Sequence, residues 1–224
     1  MSFKIAIDGP AGAGKSTIAK RLAKKLGFLY IDTGAMYRAI SLYFLRNHIP
    51  LNEEERISNA CKEVDVSIVY KNEEQQVLLN KENVNAFIRT EQVGAAASIT
   101  SSYVQVRKKL VELQQKLAEQ ENVVMDGRDI GTCVLPDAQV KIYLTASVEI
   151  RGKRRFDELT QKGVPCSLEE ICKDIQERDY RDMNRENSPL CQAKDAILID
   201  STYQTINEAV EEILEYINAI FRFA

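Results

Sequence analysis

The stretch Gly9-Pro10-Ala11-Gly12-Ala13-Gly14-Lys15-Ser16-Thr17 constrains this chain more than any other. It has the spacing G-x-x-x-x-G-K-S, follows an apolar run at residues 3–7 and leads into a helical pattern. That is the context of a phosphate-binding loop. Glycines let the backbone fold around a polyphosphate, so that several N–H groups point inward. The helix behind the loop adds the positive end of its dipole. Lys15 is placed to reach the outer phosphates, and the Ser16 hydroxyl to ligate a magnesium ion. A plain strand-to-helix turn would explain the glycines, but not Lys and Ser directly behind them. The stretch implies binding of ATP or GTP.

The rest of the chain alternates strand and helix, which argues for a parallel sheet with crossover helices. The first strand lies near residues 3–8. Its helix runs to about Leu26, with Ile18, Leu22 and Leu26 four apart and Gly27 as the stop. Residues 28–31 read as a second strand, and Asp32-Thr33-Gly34 turns the chain into a helix through about Arg46. Residues 53–100 depart from this pattern. Two runs, 66–70 and 75–79, flank a polar turn and read as an antiparallel hairpin, an insertion off the main sheet. A helix at 101–120 carries the stripe Val106, Leu110, Leu113 and Leu117. Strands follow at 122–125, ending at Asp126, and at 140–144. A helix at 147–160 is basic at its start, and Lys162-Gly163-Val164-Pro165 breaks it. Ser167-Leu168-Glu169-Glu170 is a capping box opening the next helix. A last strand at 196–199 ends at Asp200, residues 205–208 cap a final helix, and residues 221–224 read as a loose tail. The core then has five strands, and ligand loops belong at their carboxyl ends. Gly9, Asp32, Asp126, Thr145 and Asp200 fall there.

The 224 residues are 45% hydrophobic and 28% charged, which suits one large domain or one domain with insertions. A net charge of −3 argues against general nucleic-acid binding through a basic surface. No apolar run approaches the roughly 20 residues that span a bilayer. The start shows no signal-peptide pattern, since its short apolar run is the first strand. Five cysteines are scattered with no C-x-x-C pair, and His48 is the single histidine. A disulfide framework or a Cys/His zinc site is poorly supported. The expectation is a cytoplasmic monomer that acts on small molecules, with no nucleic-acid or membrane partner.

A phosphate loop does not by itself separate a kinase from a GTPase or a motor. No Asn-Lys-x-Asp guanine-reading pattern appears, and the chain is too short for most motors. It carries instead a set of arginines at or near strand ends. Five stretches bear a resemblance: Gly9 to Thr17; Asp32-Thr33-Gly34-Ala35-Met36-Tyr37-Arg38; Asp126-Gly127-Arg128-Asp129-Ile130-Gly131-Thr132; Arg178 to Arg185 with Ser188-Pro189-Leu190; and Asp200-Ser201-Thr202. In these the chain resembles the bacterial cytidylate kinases, over about residues 3–217. The resemblance implies an α/β, three-layer P-loop kinase fold with a five-stranded parallel sheet, in a single domain over 1–224. It implies an inserted nucleoside-monophosphate-binding subdomain at about 62–98 with a small antiparallel sheet, and a short lid at about 151–186. The implied reaction moves the γ-phosphoryl of ATP, with Mg2+, to CMP or dCMP.

Physical chemistry agrees. A monophosphate held beside ATP brings two polyanions together, which costs several kcal/mol unless cations intervene. Arginine binds phosphate oxygens bidentately and suits that task. The resemblance assigns Arg38, Arg128 and Arg185 to the acceptor phosphate, Arg178 and Asp182 to its ribose, and Ser98, Arg107 and Asp129 to cytosine, with Thr33 also on the substrate. Arg178, Asp182 and Arg185 are spaced to share one helix face, whereas Asp179 and Arg181 are expected at the surface. A carboxylate would accept from the cytosine amino group while arginine donates to N3 and O2. Uracil would leave buried groups unpaired. On one straight helix Ser98 and Arg107 would lie about 180° apart, so a break is expected near Thr100-Ser101-Ser102. Arg151, Arg154 and Arg155 resemble lid arginines. Cations at a helix start call for a nearby anion, and Arg151 and Arg155, which share a face, are the stronger pair.

No general base is required, because the attacking phosphate oxygen is already ionised. Catalysis would be positioning and charge stabilisation. Lys15 and the lid arginines would bear the transferring charge. Ser16 would hold magnesium directly, and Asp126 through water. A kinase for UMP or AMP, or a non-catalytic nucleotide-binding module, stays open on the sequence.

Overall fold

The computed structural model describes residues 2–71 and 74–221. In chain order it contains β1 (Lys4–Asp8), α1 (Lys15–Leu26), β2 (Leu29–Asp32), α2 (Thr33–Arg46), α3 (Glu54–Glu63), β3 (Val66–Lys71), β4 (Glu74–Leu79), β5 (Glu82–Asn83), α4 (Glu91–Thr100), α5 (Val104–Gln120) and β6 (Val123–Gly127). A π-helical turn (Ile130–Val134) follows, then β7 (Val140–Thr145), α6 (Val148–Gln161), α7 (Leu168–Asn184), β8 (Ile197–Asp200) and α8 (Ile206–Phe221). The chain divides into two compact units. Of the described residues, one holds 3–30 and 122–221, the other 31–121 together with Ser2.

The phosphate-loop unit is built on a five-stranded parallel sheet in the order β2-β6-β1-β7-β8. β1 sits centrally and pairs in parallel with β6 and β7, in register Ile5↔Val124 and Ile5↔Val140. Parallel strands covered on both faces read as continuous apolar runs. Ile5-Ala6-Ile7 and Val123-Val124-Met125 are accordingly fully buried. Ile18 and Leu22 of α1 pack with Ile142, Leu144, Val210, Ile213 and Ile217 in the same core. Burying each such side chain contributes about 1.5–3 kcal/mol.

Local chemistry sets the helix ends. Gly27 takes a left-handed φ of 69° after α1, with its N–H on Ala23 O. The Ser167 hydroxyl accepts from Glu170 N ahead of α7. Thr205 and Glu208 make the reciprocal capping box before α8, at 2.7 Å and 3.3 Å.

The second unit packs α2–α5 with an antiparallel sheet in the order β3-β4-β5. The hairpin register runs from Val66↔Leu79 to Lys71↔Glu74, and the two residues between lie outside the described ones. Met36, Ile40, Phe44, Ile57, Ile88 and Leu110 are fully buried.

Several expectations need correction. α2 begins at Thr33 with no intervening turn, because the Asp32 side chain accepts from Ala35 N and caps the helix directly. The helix expected from 101 starts at Val104. α4 ends at Thr100, and turn bonds such as Tyr103 N to Thr100 O separate the two helices. The break thus falls where geometry asked for it. Asp179 is buried, not at the surface. Arg185 is extended, with φ −66° and ψ 142°, and caps α7 instead of continuing it. Of the expected tail, residues 222–224 lie outside the described ones. Among the described residues, no helix is long and apolar enough to cross a membrane.

Candidate nucleotide site

In the phosphate-loop unit, Gly9 follows directly on β1 with φ 148°, and a Cβ there would lie 1.9 Å from Leu144 O. No other residue fits this approach. Gly14, the N-cap of α1, offers no side-chain cap, and the first turn of α1 carries no acidic residue. Its amides are left for an anion. Lys15 is buried, with Nζ donating to Pro10 O at 2.8 Å. Burial, followed by the neighbouring Arg128 charge, pushes its ammonium down to about 7. The Ser16 hydroxyl donates to Asp126 Oδ2 at 2.9 Å, and Tyr30 OH donates to Oδ1 at 2.8 Å. Asp126 is thereby fixed at the carboxyl end of β6, 4% exposed.

The chain leaving β6 carries Arg128 and Asp129. Arg128 Nε meets Asp182 Oδ2 at 2.8 Å. Burial opposes both charges, yet each holds the other ionised, so the Asp182 carboxyl stays below the usual carboxylate range. Arg185 donates to Ser188 O at 2.6 Å and reaches Asp129 Oδ1 at 3.5 Å. Arg178 lies close enough to Lys15 and Asp182 to lower both. Lys15, Arg128 and Arg178 thus lie near one another, interleaved with the carboxylates of Asp8, Asp126 and Asp182.

The three arginines of α6 diverge. Arg151 is buried, donating to Ala146 O and Ala11 O and pairing with Asp179 at 2.7 Å. Arg154 grips Ser201 O at 2.8 Å and Ala13 O at 3.4 Å. Arg155 stays near the surface on Glu158.

In the second unit, Asp32 gathers Arg89 at 2.5 Å and Arg38 at 3.6 Å. Burial would raise its carboxyl, but Arg38 and Arg89 hold it low. Thr33 beside it is buried. Arg107, 6% exposed, donates to Tyr37 OH at 3.3 Å. Among the described residues the buried Ser98 hydroxyl finds no hydrogen-bond partner, unusual for an interior polar atom. Ser98 sits on α4 and Arg107 on α5, on either side of the break.

The candidates thus divide. Residues 9–17, Asp126, Arg128, Asp129, Arg151, Arg155, Arg178, Asp182 and Arg185 belong to one unit, and Thr33, Arg38, Ser98 and Arg107 to the other. Sequence reasoning missed Asp8, Tyr30, Arg89 and Asp179. Only Asp8 carried a local signal, as an acidic residue at a buried strand end immediately before the loop.

The cytidylate kinase family model matches residues 5–219. The chain is 54% identical to a cytidylate kinase of Caldicellulosiruptor saccharolyticus, over 95% of this chain and 94% of the relative. It is 51% identical to one of Carboxydothermus hydrogenoformans, over 96% and 97%. Among solved structures, an uncharacterized protein from Eubacterium ventriosum matches with TM-score 0.52 at 16% identity, over 98% of this chain and 99% of that one. A gluconokinase from Sinorhizobium meliloti matches with TM-score 0.50 at 13% identity, over 99% and 93%. Those two likenesses concern the fold alone. Identity near one half, sustained across almost the full length of both partners, means that this chain belongs to the cytidylate kinase family, whose members are nucleoside-monophosphate kinases.

Proposed function

We propose that this protein transfers the γ-phosphoryl of ATP to CMP or dCMP, giving ADP and CDP or dCDP. One observation carries the reading. A helix start without a capping side chain or an acidic first turn faces the field of Lys15, Arg128 and Arg178, beside the Ser16–Asp126 pair.

In this reading the loop amides and Lys15 hold the β- and γ-phosphates. Lys15 becomes fully cationic when a polyphosphate arrives, since an adjacent anion favours the charged form. Arg38, Arg128 and Arg185 grip the acceptor phosphate, with Asp182 orienting Arg128 through their ion pair. Arg178 and Asp182 face the ribose, Thr33 supports the acceptor, and Ser98, Arg107 and Asp129 read cytosine. The buried, unbonded Ser98 hydroxyl supports this, since a base edge would satisfy it. Arg155 is tied by a surface pair worth under about 1 kcal/mol and can leave Glu158 for the transferring phosphoryl. Arg151 contributes by bracing the loop at Ala11.

Magnesium fits the residues present. Ser16 Oγ and the Asp126 carboxylate, 2.9 Å apart, are hard oxygen donors. Magnesium typically takes one or two such protein oxygens, with phosphates and water completing its shell. When bound there it neutralises charge on the phosphate oxygens. We further propose one domain over 1–224 with an acceptor-binding insertion at about 62–98 and a lid at about 151–186, acting as a cytoplasmic monomer without nucleic-acid or membrane partners.

The test is a coupled ADP-release assay with ATP and magnesium against CMP, dCMP, UMP and AMP. Release should require CMP or dCMP and fall at least about 100-fold in Arg128→Ala. Equal release with UMP or AMP would remove the cytosine assignment. Nucleotide binding without transfer to any acceptor would remove the catalytic one.

A further inference from the structure

Asp8 stands immediately before the phosphate loop, and by position alone it belongs to the ATP side. Its hydrogen bonds run elsewhere. Asp8 Oδ1 accepts from Ile130 N and Oδ2 from Gly131 N, both at 2.7 Å. The carboxylate is 4% exposed. These two amides open the π-helical turn and follow directly on Arg128-Asp129. First-turn amides have no partner inside their own helix. β1 and β6 stay in register up to Asp8↔Gly127, so the carboxylate meets the chain as it leaves the neighbouring strand. Gly131 leaves room for it, since a Cβ there would lie 3.2 Å from Lys141 Cδ and 3.4 Å from Asp8 Oδ2.

We infer that Asp8 is a positioning residue for the acceptor nucleotide, clamping through both carboxylate oxygens the segment that presents Arg128 and Asp129. The inference rests on the acceptor roles proposed for those two residues. Each oxygen takes one charge-assisted bond, the stronger class of hydrogen bond. The clamp fixes the backbone one residue beyond Asp129. Arg128 is held from its other side by Asp182. Burial pushes the Asp8 carboxyl up to about 6, against the pull of the Gly131 and Ile130 amides and, more weakly, of Lys15 toward its charged form.

The informative variant is Asp8→Asn, which turns one acceptor into an amide donor facing a backbone N–H. The Michaelis constant for CMP should rise about tenfold or more, because small displacements of positioning groups have large kinetic effects. The constant for ATP should stay within about twofold. In 15N-resolved spectra, the Ile130 and Gly131 amides should move and lose exchange protection, while amides of residues 9–17 keep theirs. A larger rise for ATP than for CMP would overturn the inference, as would unchanged Ile130 and Gly131 amides. If Asp8→Asn does not fold, Asp8→Glu carries the same comparison with the charge kept and the carboxylate displaced. A wild-type protein inactive on CMP would sink the proposed function. The amide spectra would then still decide whether the clamp exists.

Discussion

Removing the Asp179 carboxylate leaves the Arg151 guanidinium in place without its anion. The Arg151 side chain is 5% exposed and that of Asp179 11%, with Nη2 and Oδ2 2.7 Å apart. The two acceptors that remain, Ala146 O and Ala11 O, are neutral. Breaking one side of a buried pair costs about 3–5 kcal/mol, because the surviving charge stays desolvated. In a chain of this length each kcal/mol moves the melting temperature by about 2–4 °C. Asp179→Ala should therefore melt about 6–20 °C below wild type. Replacing both partners, as Arg151→Met with Asp179→Leu, removes the charge together with its counter-ion. The double variant should recover to within about 2 kcal/mol of wild type. Urea unfolding of the wild type, both single variants and the double variant reads this as shifts in midpoint at constant slope. A loss under about 1 kcal/mol for Asp179→Ala, the scale of an exposed pair, would refute the reasoning. So would a double variant no more stable than the Asp179 single.

Gly9→Ala should give little soluble protein and a loss above about 3 kcal/mol, because a Cβ 1.9 Å from Leu144 O forces the central strands apart; expression yield and thermal melting check it. Asp182 supplies a pH dependence. Its folded carboxyl lies below the ordinary 3.8, so the unfolded chain binds the proton first as pH falls. Its contribution is complete above that ordinary value and is lost as pH drops through the folded one. Asp182→Asn should flatten the acid limb of a stability–pH curve, and an unchanged limb would count against the Arg128 pair. Ser98→Ala should leave stability within about 0.5 kcal/mol, since its hydroxyl makes no internal bond. It should raise the Michaelis constant for CMP several-fold, and an unaltered constant would detach Ser98 from the base.

The parallel core was legible because both-face burial writes each strand as an unbroken apolar run, as at Ile5-Ala6-Ile7. Caps at Gly27, Ser167 and Thr205 were legible because their chemistry spans three or four residues. α3 escaped notice because it buries only Ile57, Ala60 and Cys61, too few to make a stripe. α4 is dominated by small residues around Gly94 and shows no polar face of helical period. The π-helical turn answers to Asp8, more than a hundred residues earlier, so no local pattern reports it. Arg151 and Arg155 stand four apart on α6, yet one is buried and the other lies near the surface. Spacing said nothing of Asp179, whose attraction draws Arg151 inward and leaves Arg155 outside.

Arg151 and Arg154 hold Ala11 O and Ala13 O from the α6 side, and Lys15 holds Pro10 O. In a trans peptide the N–H points away from the carbonyl of the same unit. Fastening the oxygens of residues 11 and 13 outward therefore aims the amides of Gly12 and Gly14 in the opposite direction. For the phosphate chain proposed to lie there, the mould would be cast before any nucleotide enters, and the entropy of shaping it spent during folding instead of being drawn from binding.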